Sequence, residues 1–140
     1  MSAQVLLDTG PLVALLNVRD SRHSWAKAQW MRIDRPLLTC EAVLSEACFL
    51  LKRTPAGLAP LMELLERGKV RIGFRLDEQI EPVGRMLAKY EDVPMSLADA
   101  CLVRMAELYP ESVVLTLDDD FRLYRKSNRQ VIGAWMPNGQ

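Results

Sequence analysis

The chain has 140 residues and a mass of 15.9 kDa, enough for one compact domain rather than several. Hydrophobic residues make up 49% and charged residues 26%, which excludes general disorder. Eighteen basic side chains balance eighteen acidic ones, so binding of nucleic acid by sheer basicity is excluded; any such binding needs acids and bases separated in space.

Val5-Leu6-Leu7 is a short apolar run ended by Asp8, and Gly10 and Pro11 punctuate the chain before a helix that opens over residues 12–16. An apolar run bounded in this way suits a strand buried on both faces. A second helix is predicted over about residues 21–33, with Trp25, Ala28 and Ile33 spaced for one face, and Pro36 breaks it. Leu37-Leu38 is a candidate short strand. Thr39 stands where it can cap the next helix, residues 41–52, which Pro55 closes. Residues 60–67 read as helix up to Gly68, after which Val70, Ile72 and Phe74 alternate as in a strand. Another helix is predicted over residues 76–90. Pro94 and Ser96 introduce a strongly apolar helix that runs to about residue 108 and stops at Pro110. Val113-Val114-Leu115 is the best strand of the chain, and residues 131–135 hold the last. Alternation of strands with helices predicts an α/β domain whose mainly parallel sheet is covered on both faces.

Three cysteines (Cys40, Cys48, Cys101) cannot all pair, none forms a Cys-x-x-Cys arrangement, and His23 is the single histidine. A disulfide framework and a zinc site are therefore both disfavoured, and buried reduced thiols are expected. Residues 1–7 carry no basic segment and Asp8 interrupts the apolar run, so no export signal is expected. No stretch approaches the ~18 apolar residues of a membrane span. The expectation is a cytoplasmic enzyme or binding module. Trp25, Trp30 and Met31 at helical spacing suit core packing better than a dimer face.

Four carboxylates carry the functional signal. Asp8 follows the first strand directly, and Asp118 follows the strand around Val113 and Leu115. Ligands of open parallel sheets bind beyond the carboxyl ends of the strands, so both acids stand at one edge. Taken singly, each also suits a turn or a helix cap. Glu46 falls at 100° per residue on the side of its helix that carries Val43, Ala47 and Leu50, and Asp99 shares a side with Leu102, Val103 and Ala106. A carboxylate on an apolar stripe is costly unless something compensates it. Ser96 with Asp99 also fits a capping box, and Glu46 could pair with Arg53 or with an arginine distant in sequence. Together, four acids with almost no histidine describe an oxygen-ligand site for a hard divalent cation, Mg2+ or Mn2+. Such an ion activates water and neutralises charge on a phosphoryl group, which points to phosphodiester hydrolysis. Residues 121–140 add four basic side chains (Arg122, Arg125, Lys126, Arg129) and no acid, close enough to Asp118 to hold a polyanion.

These elements resemble the PIN-domain ribonucleases, especially the VapC-like toxins of type II toxin–antitoxin modules. Residues 5–17, with Asp8-Thr9-Gly10-Pro11, resemble the family's opening motif. Thr39, Val43 and Glu46 match its second motif, residues 96–100 around Asp99 its third, and Leu115-Thr116-Leu117-Asp118 with Asp120-Phe121 its fourth. The resemblance implies a three-layer α/β/α sandwich with a central five-stranded, mainly parallel sheet, as one PIN-like domain over residues 1–140. It implies an acidic quartet of Asp8, Glu46, Asp99 and Asp118, with Asp8 and Asp99 the steadier metal ligands. Thr9 and Thr116 would be supporting hydroxyls, and Asp120 an accessory acid. The implied activity is Mg2+- or Mn2+-dependent cleavage of RNA by in-line attack, leaving a 3′-hydroxyl and a 5′-phosphate. The implied partners are an RNA substrate, a second copy of the chain and a small antitoxin protein that blocks the site.

Competing readings fare worse on the residues. Asp8-Thr9-Gly10 also resembles aspartic proteases, but those are β-rich and this chain has helical periodicities. No Gly-x-Ser-x-Gly elbow, P-loop or Gly-x-Gly-x-x-Gly run is present. A non-catalytic PIN-like module that binds RNA or protein is the alternative from a different class.

Overall fold

The computed structural model describes residues 3–137; Met1, Ser2 and the last three residues of the basic stretch lie outside the described residues. In chain order the elements are β1 (Gln4–Leu7), α1 (Thr9–Leu16), α2 (His23–Arg32), β2 (Leu37–Thr39), α3 (Glu41–Leu51), α4 (Ala59–Glu66), β3 (Val70–Ile72), α5 (Ile80–Lys89), α6 (Leu97–Leu108) and β4 (Ser112–Leu115). The short strands β5 (Arg125–Lys126), β6 (Gln130–Val131) and β7 (Ala134–Trp135) follow.

Five strands form one parallel sheet in the order β3-β2-β1-β4-β7, the expected α/β/α arrangement. From β1 the chain winds outward through β2 to β3, then returns to lay β4 against the other side of β1. The strand order therefore reverses between β1 and β4, where an open α/β sheet forms its crevice. Register is tight there: Val5 pairs with Val113, Leu6 with Val114 and Leu7 with Leu115. The side-chain period of two along β1 divides the core. Leu6 packs with Val43, Phe74, Met86 and the apolar side of α6, whereas Val5 and Leu7 pack with Leu12, Ala47, Leu51 and Leu61. Each fully buried leucine contributes roughly 2–3 kcal/mol, so both layers are strongly attached to this strand. No helix among the described residues is long and apolar enough to cross a membrane.

Several details differ from the sequence reading. The helix predicted over residues 76–90 is broken into a 3-10 turn (Leu76–Glu78) and α5. The last strand is shorter than expected, because Val131 belongs instead to an antiparallel hairpin of β5 with β6. Thr39 does not cap α3: its hydroxyl donates across the sheet to the Leu7 carbonyl at 2.8 Å, and Cys40 takes the cap position without a side-chain bond. Cys40 and Cys101 are buried free thiols as expected, but Cys48 is only half-buried. Trp25 and Trp30 pack against the Val5/Leu7 side of the core, while Met31 is exposed.

Thr39 is fully buried, so its hydroxyl bond is the one contact an isosteric change removes. Thr39→Val is expected to cost about 1 kcal/mol in urea unfolding. An unchanged midpoint would show that this cross-strand bond contributes nothing.

Candidate active site

The carboxyl ends of β1 and β4 open into a cleft of about 420 Å³ whose lining includes Asp8, Glu46, Asp99 and Asp118, together with Thr9, Gly10 and Ser96. Side chains separated by 110 positions are thus brought to one place by the register of two neighbouring strands. Asp8 is the residue after β1 and also caps α1, with its Oδ1 accepting the Thr9 N–H at 2.8 Å. Its Oδ2 accepts the Thr116 hydroxyl at 2.7 Å. That same Thr116 Oγ1 accepts the Asp118 N–H at 2.9 Å, so one hydroxyl ties the Asp8 carboxylate to the loop that carries Asp118. Gly10 lets α1 start close to the loop that carries Asp118: a Cβ there would lie a tight 3.2 Å from the Leu117 side chain, which would have to shift by a few tenths of an ångström.

Asp99 sits in the first turn of α6, where the capping box with Ser96 is formed in full. Its backbone N–H donates to Ser96 Oγ at 3.0 Å, and its Oδ2 accepts the Ser96 N–H at 3.2 Å. The capping role and the place in the cleft coexist in one side chain. Leu102, Val103 and Ala106 on its side of the helix are buried, as the periodicity indicated. Tyr124, fully buried in the core, donates its hydroxyl to Asp99 Oδ2 at 3.1 Å.

Glu46 differs from the expectation of a core-facing acid. Val43 and Ala47 are buried, but Glu46 and Leu50 are exposed, because the neighbouring core ends short of that side of α3. Glu46 instead reaches over the start of α1, where its Oε1 accepts the Thr9 hydroxyl at 2.9 Å. Arg53 does not pair with it; its guanidinium lies over the Phe49 ring. Asp118 Oδ1 accepts the Asp120 N–H at 2.9 Å. Of the three consecutive acids only Asp118 lines the cleft, while Asp119 is exposed and paired with Arg122.

Asp8 and Asp99 are buried, at 6% and 7% exposure. Among the described residues no lysine or arginine forms an ion pair with any of the four acids. Burial pushes the Asp8 carboxyl up to about 6 against the hydrogen bonds from Thr116 and Thr9, and the negative charges of Asp99 and Asp118 push the same way. Burial also raises Asp99, opposed by the bonds from Ser96 and Tyr124 and reinforced by Asp118. Among the described residues no three His, Cys, Asp or Glu side chains form a closed metal-holding group. What the cleft offers is a set of oriented oxygens at an open edge, suited to a cation shared with a ligand.

Thr9 and Thr116 stand where the sequence resemblance places supporting hydroxyls. Tyr124 is the residue that reasoning from sequence missed: three positions after Phe121, it reads as core, and its hydroxyl carries no local signal.

The folded value for Asp8, about 6, lies above its ordinary value of 3.8, so the folded chain holds this proton more tightly than the unfolded one. The resulting stabilisation is full below about pH 4 and is lost as pH rises through the folded value. The metal-free protein is expected to lose on the order of 3 kcal/mol from this group between about pH 4 and pH 7. Urea titrations of wild type and Asp8→Asn measure it: the variant should lack that part of the slope, and equal slopes would contradict the assignment. Tyr124→Phe should raise the Asp99 pKa further, because it removes a bond to the charged form. Carboxyl 13C titration reads that shift directly.

No curated protein sequence matches the chain. Among solved structures it is similar to the crystal structure of VapC20 from Mycobacterium tuberculosis, a toxin that cleaves the sarcin–ricin loop, with a TM-score of 0.75 and 23% identity. The match covers 84% of this chain and 92% of that one. At that identity the likeness speaks for the fold. The PIN domain family model matches residues 5–127, which include the whole acidic cleft. Covering most of the sequence, that match shows that the chain belongs to the PIN domain family.

Proposed function

We propose that this chain is a Mg2+- or Mn2+-dependent ribonuclease that hydrolyses RNA phosphodiester bonds, acting as the toxin of a toxin–antitoxin pair and built as one domain over residues 1–140. Asp8 carries the reading: it is buried, its charged neighbours Asp99 and Asp118 are both negative, and no cation among the described residues pairs with it. Left so, the group is costly when ionised; a doubly charged ion in the cleft turns that cost into affinity. The donors fit such an ion, since all four acids offer oxygen and the cleft holds neither thiolate nor imidazole. Asp8 and Asp99 would hold it, with Glu46 and Asp118 as further ligands, directly or through water. When bound, the ion supplies activation of water and neutralisation of charge on the transferring phosphoryl group.

The chain's own residues orient the carboxylates. Thr9 and Thr116 hold the two oxygens of Asp8, so this side chain meets a ligand already aligned. Tyr124 and Ser96 do the same for Asp99. Fixed ligand oxygens reduce the reorganisation needed in the reaction. The openness of the sheet edge suits a polymer passing through rather than a small molecule enclosed on all sides.

VapC20 is a toxin that cleaves the sarcin–ricin loop. The shared fold supports RNA as the substrate class, a small antitoxin protein and a homodimer as partners, and a cytoplasmic setting. Phe49 and Leu50, exposed near the end of α3, suit a partner surface.

Asp8→Asn and Asp99→Asn are each expected to lower kcat/KM on RNA by about 100-fold or more. Calorimetric titration of the wild type with Mn2+ should show binding that either substitution weakens. Wild-type cleavage rates by the variants at saturating Mg2+ would contradict the assignment. Cation binding indifferent to both substitutions would favour a binding module without catalysis.

A further inference from the structure

A second cleft, of about 500 Å³, lies between α5, α6 and the β5–β6 hairpin. Six cations line it: Arg85, Lys89, Arg104, Arg125, Lys126 and Arg129. Its one acid is Glu107, and both of that residue's oxygens are already engaged, by Arg104 at 3.0 Å and by the Ser127 hydroxyl at 3.3 Å. Arg85 pairs with Glu81 along α5. Lys89, Arg125, Lys126 and Arg129 have no carboxylate partner among the described residues. In a chain of zero net charge, this is the separation of charge that polyanion binding requires.

The hairpin is held in a costly form around this cleft. Arg129, at its turn, has a φ of 63°, the one non-glycine residue with positive φ among the described residues. A side chain in that region costs about 1 kcal/mol or more, and a glycine would avoid the cost. The hairpin is also anchored to the catalytic cleft. Tyr90 accepts the Arg125 N–H on its hydroxyl at 2.9 Å and packs edge-on against Tyr124, whose hydroxyl reaches Asp99. Tyr90 lines the basic cleft and Pro94 lines the acidic one, four residues apart, hence no more than about 14 Å.

We propose that the basic cleft binds the sugar–phosphate backbone of the same RNA strand whose scissile phosphate lies at the acidic cleft, a few nucleotides away. The inference rests on the nuclease reading and adds a substrate track to it. An RNA strand at the acidic edge must continue past it, and the segment from Tyr90 to Ser96 leads directly from one cleft to the other. Arginine forks match phosphate oxygens. An acidic protein segment is the competing occupant. It lacks the continuity, since nothing else about it requires passage through the cluster of acids.

The test uses the full chain and the variant Lys89→Gln/Lys126→Gln/Arg129→Gln, none of whose positions lies in the acidic cleft. Binding of a labelled 20-nucleotide single-stranded RNA is followed by anisotropy against salt, in EDTA so that no cleavage occurs. Loss of three phosphate contacts should reduce the slope of log K against log salt by about 2, and affinity at low salt by about tenfold or more. With Mg2+, the variant should raise KM for the long RNA with kcat unchanged, and leave cleavage of a tetranucleotide as it was. Lys89→Arg/Lys126→Arg should retain wild-type binding. An unchanged slope overturns the proposal, as does RNA binding that survives while binding of a polyglutamate peptide is lost. A reduced slope in a chain that cleaves no RNA would sink the nuclease reading and leave the RNA-binding cleft standing.

Discussion

The Thr116 hydroxyl donates to the Asp8 carboxylate and accepts the Asp118 amide, and it can do both only because β1 and β4 lie side by side in fixed register. A one-residue slip between these strands would turn every side chain to the other face. Leu6 and Val114 would leave the α6 layer, and Asp8 would lose Thr116. The packing that holds the sheet therefore also sets the site. The apolar run before each acid is the reason the acid ends where it does: the buried strand stops there, and the chain beyond it lines the crevice.

That placement creates an electrostatic problem. Three carboxylates share one cleft at the ends of two strands and the start of α6, two of them buried, with hydrogen-bond donors but no ion-paired cation among the described residues. The donors (the Thr9 amide, the Thr116 and Tyr124 hydroxyls, the Ser96 amide) moderate the cost without cancelling it, since both Asp8 and Asp99 remain harder to ionise than free carboxylates. Folding thus stores unfavourable charge at a position open to solvent on one side. A divalent cation would relieve it, and a substrate phosphate could share the same ion. Six of the eighteen basic side chains line a separate cleft on α5, α6 and the hairpin, placed to attract a phosphate backbone without neutralising the acids.

Much of this was legible in the residues. The strands around Leu6 and Val114 announce themselves as short aliphatic runs, and the four acids stand out because they interrupt apolar patterns or end them. The sequence suits Asp99 both to a cap and to a site; the structure forms the cap and puts the side chain in the lining of the cleft. What escaped depended on distant neighbours. Periodicity gave Glu46 an apolar side, but whether that side meets another helix is decided by where the core stops. Thr39 looked like a cap because local spacing permits it; the parallel register offered its hydroxyl the Leu7 carbonyl instead. Tyr124 reads as a core aromatic and is one, so nothing local marks its bond to Asp99. The β5–β6 hairpin was invisible since two-residue strands carry no pattern.

The most direct measurement is anomalous diffraction from a crystal of the wild-type protein grown with Mn2+. A Mn2+ peak is expected in the acidic cleft with oxygens of Asp8 and Asp99 in its coordination sphere, and no such peak in an Asp8→Asn crystal. A wild-type cleft occupied by water alone at saturating Mn2+ would contradict that assignment.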